Sequence, residues 1–589
     1  MDDQYASVIN PVQLSHNAYR ILENRYLRRN EAGELELAEE LFQRVARKVA
    51  QAELVWGTWS DSLFWEERFF EILCDLKFLP NSPTLMNAGT PSNQLSACFV
   101  LPIEDSLEAI FSTLKLAALI QQSGGGTGFN FSHLRPKNSL LENTQGSASG
   151  PVSFMKIFDA ATEHVKQGGK RRGANMGILN ISHPDIEEFV ASKTGDQDLH
   201  NFNISVGVSD AFMNTVKRDE EWELVHPNTG FVARKIKARK LWTSIIENAW
   251  QNGDPGFIFL DTINETNPTP ILGKIESTNP CGEVPLLPYE SCNLGSLNLS
   301  KFILTDGKSF DWVALEQAIN IAVRFLDNII EVNHYLSSEI KDITVGNRKI
   351  GLGVMGWAEA LSILEIPYDS VEAVRVAESL MKFISDKSKE ASEKLAKERG
   401  VFKNWNNSIY YPHTRIRNAT RTSIAPTGSI SIIADTSSSI EPFFALAYQR
   451  YHVLKDETLQ EVNKSLLNYL DAHQIPSDEV MKMIVDSGTL KDVTSLSDDE
   501  KRCFKTALEI KPEWHLRHQA AFQKFTDNAV SKTINLPQGA TPADISSIYA
   551  QAWRLKLKGI TVFRYNSKPK QVMYQGITSD IKNCKVCIA

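Results

Sequence analysis

The stretch Ser277–Leu299, STNPCGEVPLLPYESCNLGSLNL, decides how the rest of the chain is read. It sets an amide, a thiol and a carboxylate at alternate positions, Asn279, Cys281 and Glu283, with Pro280 and Gly282 between them. Pro and Gly interrupt helices and strands, so the spacing predicts a tight, irregular loop. Alternate residues of an extended loop point the same way, which would let the three groups converge on one small substrate. A second thiol follows at Cys292, and a third, Cys98, precedes the loop in NSPTLMNAGTPSNQLSACFV, Asn81–Val100. Taken alone, the segment also reads as a structural turn around a buried cysteine, because a free Cys commonly serves as a small apolar filler. Structural zinc is a weaker competitor. It wants paired CxxC-type spacing and a fourth ligand, which these three cysteines lack, so no metal site is expected.

The surrounding chain has 589 residues, of which 42% are hydrophobic and 23% charged. That is the balance of an ordinary globular protein with ample material for a core. A net charge of -8 argues against a general nucleic-acid binder, whereas a phosphorylated small molecule needs only a local site. No run of about eighteen apolar residues appears, so no membrane span is expected. The opening MDDQYASVINPVQ lacks the basic and apolar parts of a secretory signal. Seven cysteines without such a signal suggest a reducing compartment, the cytoplasm, and a few chemically used thiols.

Residues 10 to about 78 show helical spacing, with Ala38, Leu41, Phe42, Val45 and Val49 on one face and a second amphipathic run from Ser60 to Leu76. From Asn81 onward, short apolar runs (CFVLPI, FNISVGV, GFIFL, RKIGLGVMG, RTSIAPTG, GITVFRY) alternate with helical patterns such as Val371–Lys397. This is the texture of an α/β fold with many strands. The chain thus divides into a helical region over 1–78, an α/β portion over 79–566 with a charged peripheral helical segment at about 455–515, and a flexible tail over 567–589. Ala425–Ser431, APTGSIS, reads as a phosphate cradle. It has no lysine, so it is no Walker loop, but Thr427, Gly428, Ser429, Ile430 and Ser431 offer hydroxyls and N–H groups at a helix start. A plain Ser/Thr helix cap is the alternative.

These motifs, with GGGTGFN (Gly124–Asn130) and KQGGKRRGAN (Lys166–Asn175), lie in consistent order from about Leu14 to Arg564 and resemble the ribonucleotide reductase family. The resemblance implies a ten-stranded α/β barrel with a central finger loop and an N-terminal helical region. It implies that Cys281 carries a transient thiyl radical that takes the 3'-hydrogen, that Glu283 acts as base toward the 3'-hydroxyl, and that Asn279 holds the ribose hydroxyls. Cys98 and Cys292 would deliver two reducing equivalents and end as a disulfide. Ser82 and the APTGSIS residues would hold the substrate phosphates, and Gly126 would allow close approach of substrate.

The same resemblance assigns Asp105, Ser106, Leu107 and Arg135, with Lys166, Gln167, Lys170, Arg171 and Arg172 of the basic loop, to a deoxynucleoside triphosphate effector site at a homodimer interface. A solvated basic loop is the plainer reading of the last group. Cys584 and Cys587 form CKVC near the end and resemble the family's shuttle, which exchanges thiols with a thioredoxin- or glutaredoxin-like reductant. Family members fed by a separate radical-generating subunit carry two adjacent tyrosines near the last barrel strand. KGITVFRYNSK has Val562 and Phe563 there, and the only adjacent pair, Tyr410 and Tyr411, is misplaced. The glycyl-radical tail motif is also missing. The adenosylcobalamin-dependent class remains, with a cofactor that brings its own radical chemistry.

Overall fold

The computed structural model describes residues 12–140, 146–165, 173–195, 198–454, 457–567 and 573–576. Its first helices are α1 His16–Arg25, α2 Ala38–Ala50, α3 Trp59–Cys74, α4 Ser82–Asn87 and α5 Leu107–Gln122. Ser15 caps α1 by accepting from Ala18 N at 3.2 Å, and Thr58 with Asp61 forms a capping box at the start of α3. The helical face read from the sequence is the buried one: Leu41, Phe42, Val45 and Val49 join Phe69, Phe78 and Phe325 in one core shared with the barrel. No described helix is long and apolar enough to cross a membrane.

Beneath that core lies a buried ionic cluster. Glu53 accepts from Arg324 at 2.9 Å and Arg399 at 2.6 Å, while Asp327 accepts from Arg348 at 2.9 Å and Arg399 at 3.0 Å. Asn418 adds a bond to Asp327 at 2.9 Å, and Trp56 lies against Arg399. Burial would push the Asp327 carboxyl up, but Arg348, Arg417 and Arg399 outweigh it and hold the group well below the usual carboxylate range. Its stabilisation is therefore present above about pH 4 and lost as pH falls toward the depressed value. Asp327→Asn leaves several guanidiniums facing a neutral amide. It should destabilise the protein by about 3–5 kcal/mol in urea unfolding, and a change within error would mean the arginines are already solvated.

The strands in chain order are β1 Phe78–Pro80, β2 Cys98–Leu101, β3 Gly126–Asn130, β4 Asn175–Asn180, β5 Phe202–Val208, β6 Glu221–Val225, β7 Val232–Lys237 and β8 Gly256–Phe259. There follow β9 Ser277–Thr278, β10 Pro285–Leu286, β11 Ser291–Asn298, β12 Ile350–Met355, β13 Ala447–Leu454, β14 Glu457–Val462, β15 Thr533–Leu536, β16 Gly559–Arg564 and β17 Met573–Gln575. Strands β2, β3, β4, β5 and β8 are successive parallel neighbours. β11 and β12 pair in parallel, as do β15 and β16. The two sets meet antiparallel where β11 joins β2 and where β16 joins β8. Parallel bridges Leu352↔Thr422 and Ile424↔Val530 close the ring between β12 and β15.

Every short apolar run read as a strand lies in this wall or in the segment that closes it. The peripheral segment opens with β14 and continues through helices Lys464–Ala472, Ser477–Ser487 and Asp498–Arg502, packed on a small core of Leu466, Leu470, Val480, Ile484 and Phe504. Within the stretch read as a tail, β17 pairs with β13, so those three residues belong to a sheet.

Candidate active site

β9 and β10 form a two-stranded antiparallel finger, with Thr278 opposite Pro285 and Ser277 opposite Leu286. It runs so close to β3 that a Cβ on Gly128 would lie 1.7 Å from the Thr278 carbonyl oxygen. Any side chain there would displace the finger. At the tip, Gly282 N donates to Asn279 O at 3.1 Å, Val284 N donates to Asn279 Oδ1 at 3.0 Å, and Gly282 has φ +81°. The tip is therefore a tight turn, and the extended alternation expected from the sequence is not what gathers its functional groups. Cys281 is exposed at the apex, whereas Asn279 and Glu283 on either side are buried.

Opposite walls tether this turn. Asn203 of β5 donates to Pro280 O at 2.9 Å, and Asn130 of β3 donates to Glu276 O at 3.0 Å. From the closing side, Ser423 Oγ and Ala529 N each donate to Glu283 O at 2.9 Å. Burial pushes the Glu283 carboxyl up to about 7, against smaller opposing hydrogen bonds from Asn279 and its own backbone. Its Oε2 has no hydrogen-bond partner among the described residues. A buried carboxyl that ionises near neutrality is suited to general base work.

Cys98 and Cys292 stand directly opposite each other on β2 and β11. Opposed residues of antiparallel strands have Cα atoms about 4.5–5.5 Å apart and share a face, within the span of a disulfide. Asn279 Nδ2 donates to Cys98 Sγ at 3.1 Å, tying the finger to this pair. Burial raises the Cys98 thiol well above its ordinary value, and Glu283, Cys292 and Cys281 raise it further, so all three act on one thiol. Cys292 is raised too, by burial first. Both therefore remain protonated at neutral pH and can donate hydrogen. Cys74 and Cys503, read as packing residues, are half-buried and raised to about 12 and about 11, burial being the main cause.

The APTGSIS segment, expected to hold phosphates, has a one-turn helix, Ile430–Ile433, behind Ser429. Thr427 Oγ1 accepts from Ser439 N at 2.7 Å, Ser431 Oγ lies 3.0 Å from Ser438 Oγ, and Ile430 points into the core. A Cβ on Gly428 would meet nothing within 4 Å, so this turn borders open space. Two residues that the sequence did not single out lie at the end of α1: Arg25 Nη1 donates to Ser429 Oγ at 3.0 Å, and the OH of Tyr26, the residue after the helix, lies 2.8 Å from Ser82 Oγ. Nothing in the pattern of α1 signals them. At Gly126 the close neighbour is the finger itself, since a Cβ there would come within 2.8 Å of Pro280 Cγ. The glycine thus answers to the finger, and close approach of substrate is not needed to explain it.

With this geometry the comparisons are unambiguous. The family described as "Ribonucleotide reductase, all-alpha domain" matches residues 12–93, and "Ribonucleotide reductase, barrel domain" matches residues 96–415 and 412–563. The chain belongs to the ribonucleotide reductase family. A relative from Thermoplasma acidophilum, "Vitamin B12-dependent ribonucleoside-diphosphate reductase", is 47% identical over 98% of this chain and 82% of its own length. A protein of the same description from Mycobacterium tuberculosis is 49% identical over 95% of this chain and 81% of its own. Among solved structures, the "Actinobacillus ureae class Id ribonucleotide reductase alpha subunit" superposes with a TM-score of 0.78 at 25% identity, covering 94% of this chain and 97% of that one.

In this reductase the expected effector residues Asp105, Ser106, Leu107 and Arg135 gather where β2 leads into α5. Ser106 caps α5, Arg135 Nε donates to Asp105 Oδ2 at 2.8 Å, and Leu107 is exposed. Asn228 also donates to Asp105, at 2.5 Å, a partner that the sequence did not suggest. Lys166, Gln167, Lys170, Arg171, Arg172, Cys584 and Cys587 lie outside the described residues. Val562 and Phe563 are on β16, while Tyr410 and Tyr411 pack on Phe402 and Trp405 in a separate cluster.

Proposed function

We propose that this reductase converts ribonucleoside 5'-diphosphates to 2'-deoxyribonucleotides by thiyl-radical chemistry, with adenosylcobalamin as the radical source. The carrying observation is the finger, which presents Cys281 and Glu283 beside the opposed thiols Cys98 and Cys292. The cofactor assignment draws on the relatives' descriptions and on Val562 and Phe563 where a tyrosine relay would stand. The site fits such a group: Cys281 is exposed, and a Cβ on Gly282 would meet nothing within 4 Å. Cys281 and Gly282 are the residues against which it would rest. When bound, adenosylcobalamin supplies the radical equivalent through homolysis of its Co–C bond.

The chain's own groups then divide the work. Cys281 Sγ takes the 3'-hydrogen and later returns it. Glu283 accepts the 3'-hydroxyl proton, and Asn279 orients the ribose. Cys98 and Cys292 provide two protons and two electrons: one proton leaves with the 2'-hydroxyl as water, the other hydrogen takes its place at C2', and the two sulfurs join as a disulfide. Asp105, Ser106, Leu107 and Arg135, with Lys166, Gln167, Lys170, Arg171 and Arg172, form the dNTP specificity site. Exposed Leu107, Phe111 and Leu119 on α5 support a homodimer there. Cys584 and Cys587 would pass electrons from a thioredoxin- or glutaredoxin-like reductant, and a cytoplasmic location follows from that supply.

Pre-reduced protein given substrate, effector and adenosylcobalamin but no reductant should form deoxynucleotide in stoichiometric amount, with a Cys98–Cys292 disulfide detected by peptide mass spectrometry. Changing both Cys584 and Cys587 to Ser should spare that single turnover and block repeated turnover with a thioredoxin-like reductant. Product without the disulfide would remove Cys98 and Cys292 from the reducing role.

A further inference from the structure

The APTGSIS segment contains no cation, yet a 5'-diphosphate brings about three negative charges at neutral pH. Hydroxyls and backbone N–H groups position such a group, and a guanidinium matches it in both charge and geometry. The end of α1 brings one to the segment. Arg25 Nη1 donates to Ser429 Oγ at 3.0 Å, and the next residue, Tyr26, reaches Ser82 Oγ at 2.8 Å. The last residue of α1 and the C-cap that follows it thus touch two of the three serines assigned to the phosphates. Tyr26 and Ser429 are buried and Arg25 half-buried, so the guanidinium sits in partly excluded surroundings. Beside Thr427, the buried Ser439 Oγ has no hydrogen-bond partner among the described residues. Gly428 leaves the approach open.

We infer that Arg25 binds the terminal phosphate of the substrate and that α1, through Arg25 and Tyr26, forms the wall that measures phosphate length. This rests on the reading of APTGSIS as the phosphate segment. In it Arg25 Nη1 exchanges the Ser429 hydroxyl for a phosphate oxygen, and Ser429 is freed to donate to the same group. The helical region thereby becomes part of the substrate site, and discrimination between diphosphate and monophosphate is assigned to a residue outside the barrel.

The test is equilibrium binding of CDP and CMP to the reduced protein, with saturating effector and without adenosylcobalamin, for the wild type, Arg25→Lys and Arg25→Met. Loss of one charged hydrogen bond should weaken CDP binding by roughly 10- to 100-fold in Arg25→Met and leave CMP nearly unchanged, so the CDP/CMP preference collapses. Arg25→Lys should retain part of it. In steady state the loss should fall on KM more than on kcat. Equal weakening of CDP and CMP would mean that Arg25 only holds α1 in place, and an unaltered preference would mean that it does not touch the phosphate. Either result overturns the inference. Wild-type protein with no affinity for CDP would instead overturn the reading of the site itself, an outcome visible before any variant is made.

Discussion

Cys281→Ser should yield a folded, nucleotide-binding protein whose turnover is lower by on the order of a hundred-thousandfold or more, the range seen when the reacting atom of a catalytic unit is removed. The reason is bond strength. A serine O–H bond is much stronger than a thiol S–H bond, so an oxygen at this position cannot exchange hydrogen atoms reversibly with a ribose carbon. The structural cost is small, because Cys281 is exposed at the apex of the finger and the tip's hydrogen bonds run through Asn279, Gly282 and Glu283. Substitution at such a site typically changes stability by no more than about 0.5 kcal/mol. The checks are deoxynucleotide formation and CDP binding on one preparation. Retained turnover would take the radical role away from Cys281.

Glu283→Gln should lower kcat/KM by about 10²- to 10⁴-fold, the usual worth of a positioned general base, and should remove a pH dependence. In the wild type the base must be ionised, and burial raises its pKa to about 7. Activity should therefore rise with pH through about 7 and level off above it. Protonated Cys98 and Cys292 impose no limb nearby, because burial raises both thiols. The glutamine variant should be flat across the same range, since it has nothing to ionise. A rising limb that survives in Glu283→Gln would assign the titration to another group.

Much of this was legible in the sequence, for identifiable reasons. CFVLPI and FNISVGV became barrel strands that are buried throughout or at all but Asn203, and such continuous apolar runs survive reading without context, whereas GITVFRY alternates, with Ile560 and Val562 buried and Thr561 exposed. The closing segments at Thr422–Ile424 and Val530 make only isolated bridges, too little to register as strands. Residue type and spacing single out Asn279, Cys281 and Glu283, but extended alternation is not what gathers them. Gly282 at positive φ makes a turn, and tethers from Asn203, Ser423 and Ala529 place it. The facing of Cys98 and Cys292 is a matter of strand register between positions nearly 200 residues apart, which no local pattern encodes. Arg25 meets Ser429 across 404 positions and sits in a helix whose spacing reports only its buried face. The raised pKa of Glu283 is likewise a property of what the fold packs around it.

The measurement that bears most directly on the radical chemistry of this chain is deoxynucleotide formation by the purified chain alone, with a dithiol reductant and an effector, in parallel with and without adenosylcobalamin. Product is expected only when adenosylcobalamin is added. Product formed equally without it would contradict the assigned radical source, and none from folded, CDP-binding protein with it would contradict that source and point to a separate radical-generating partner.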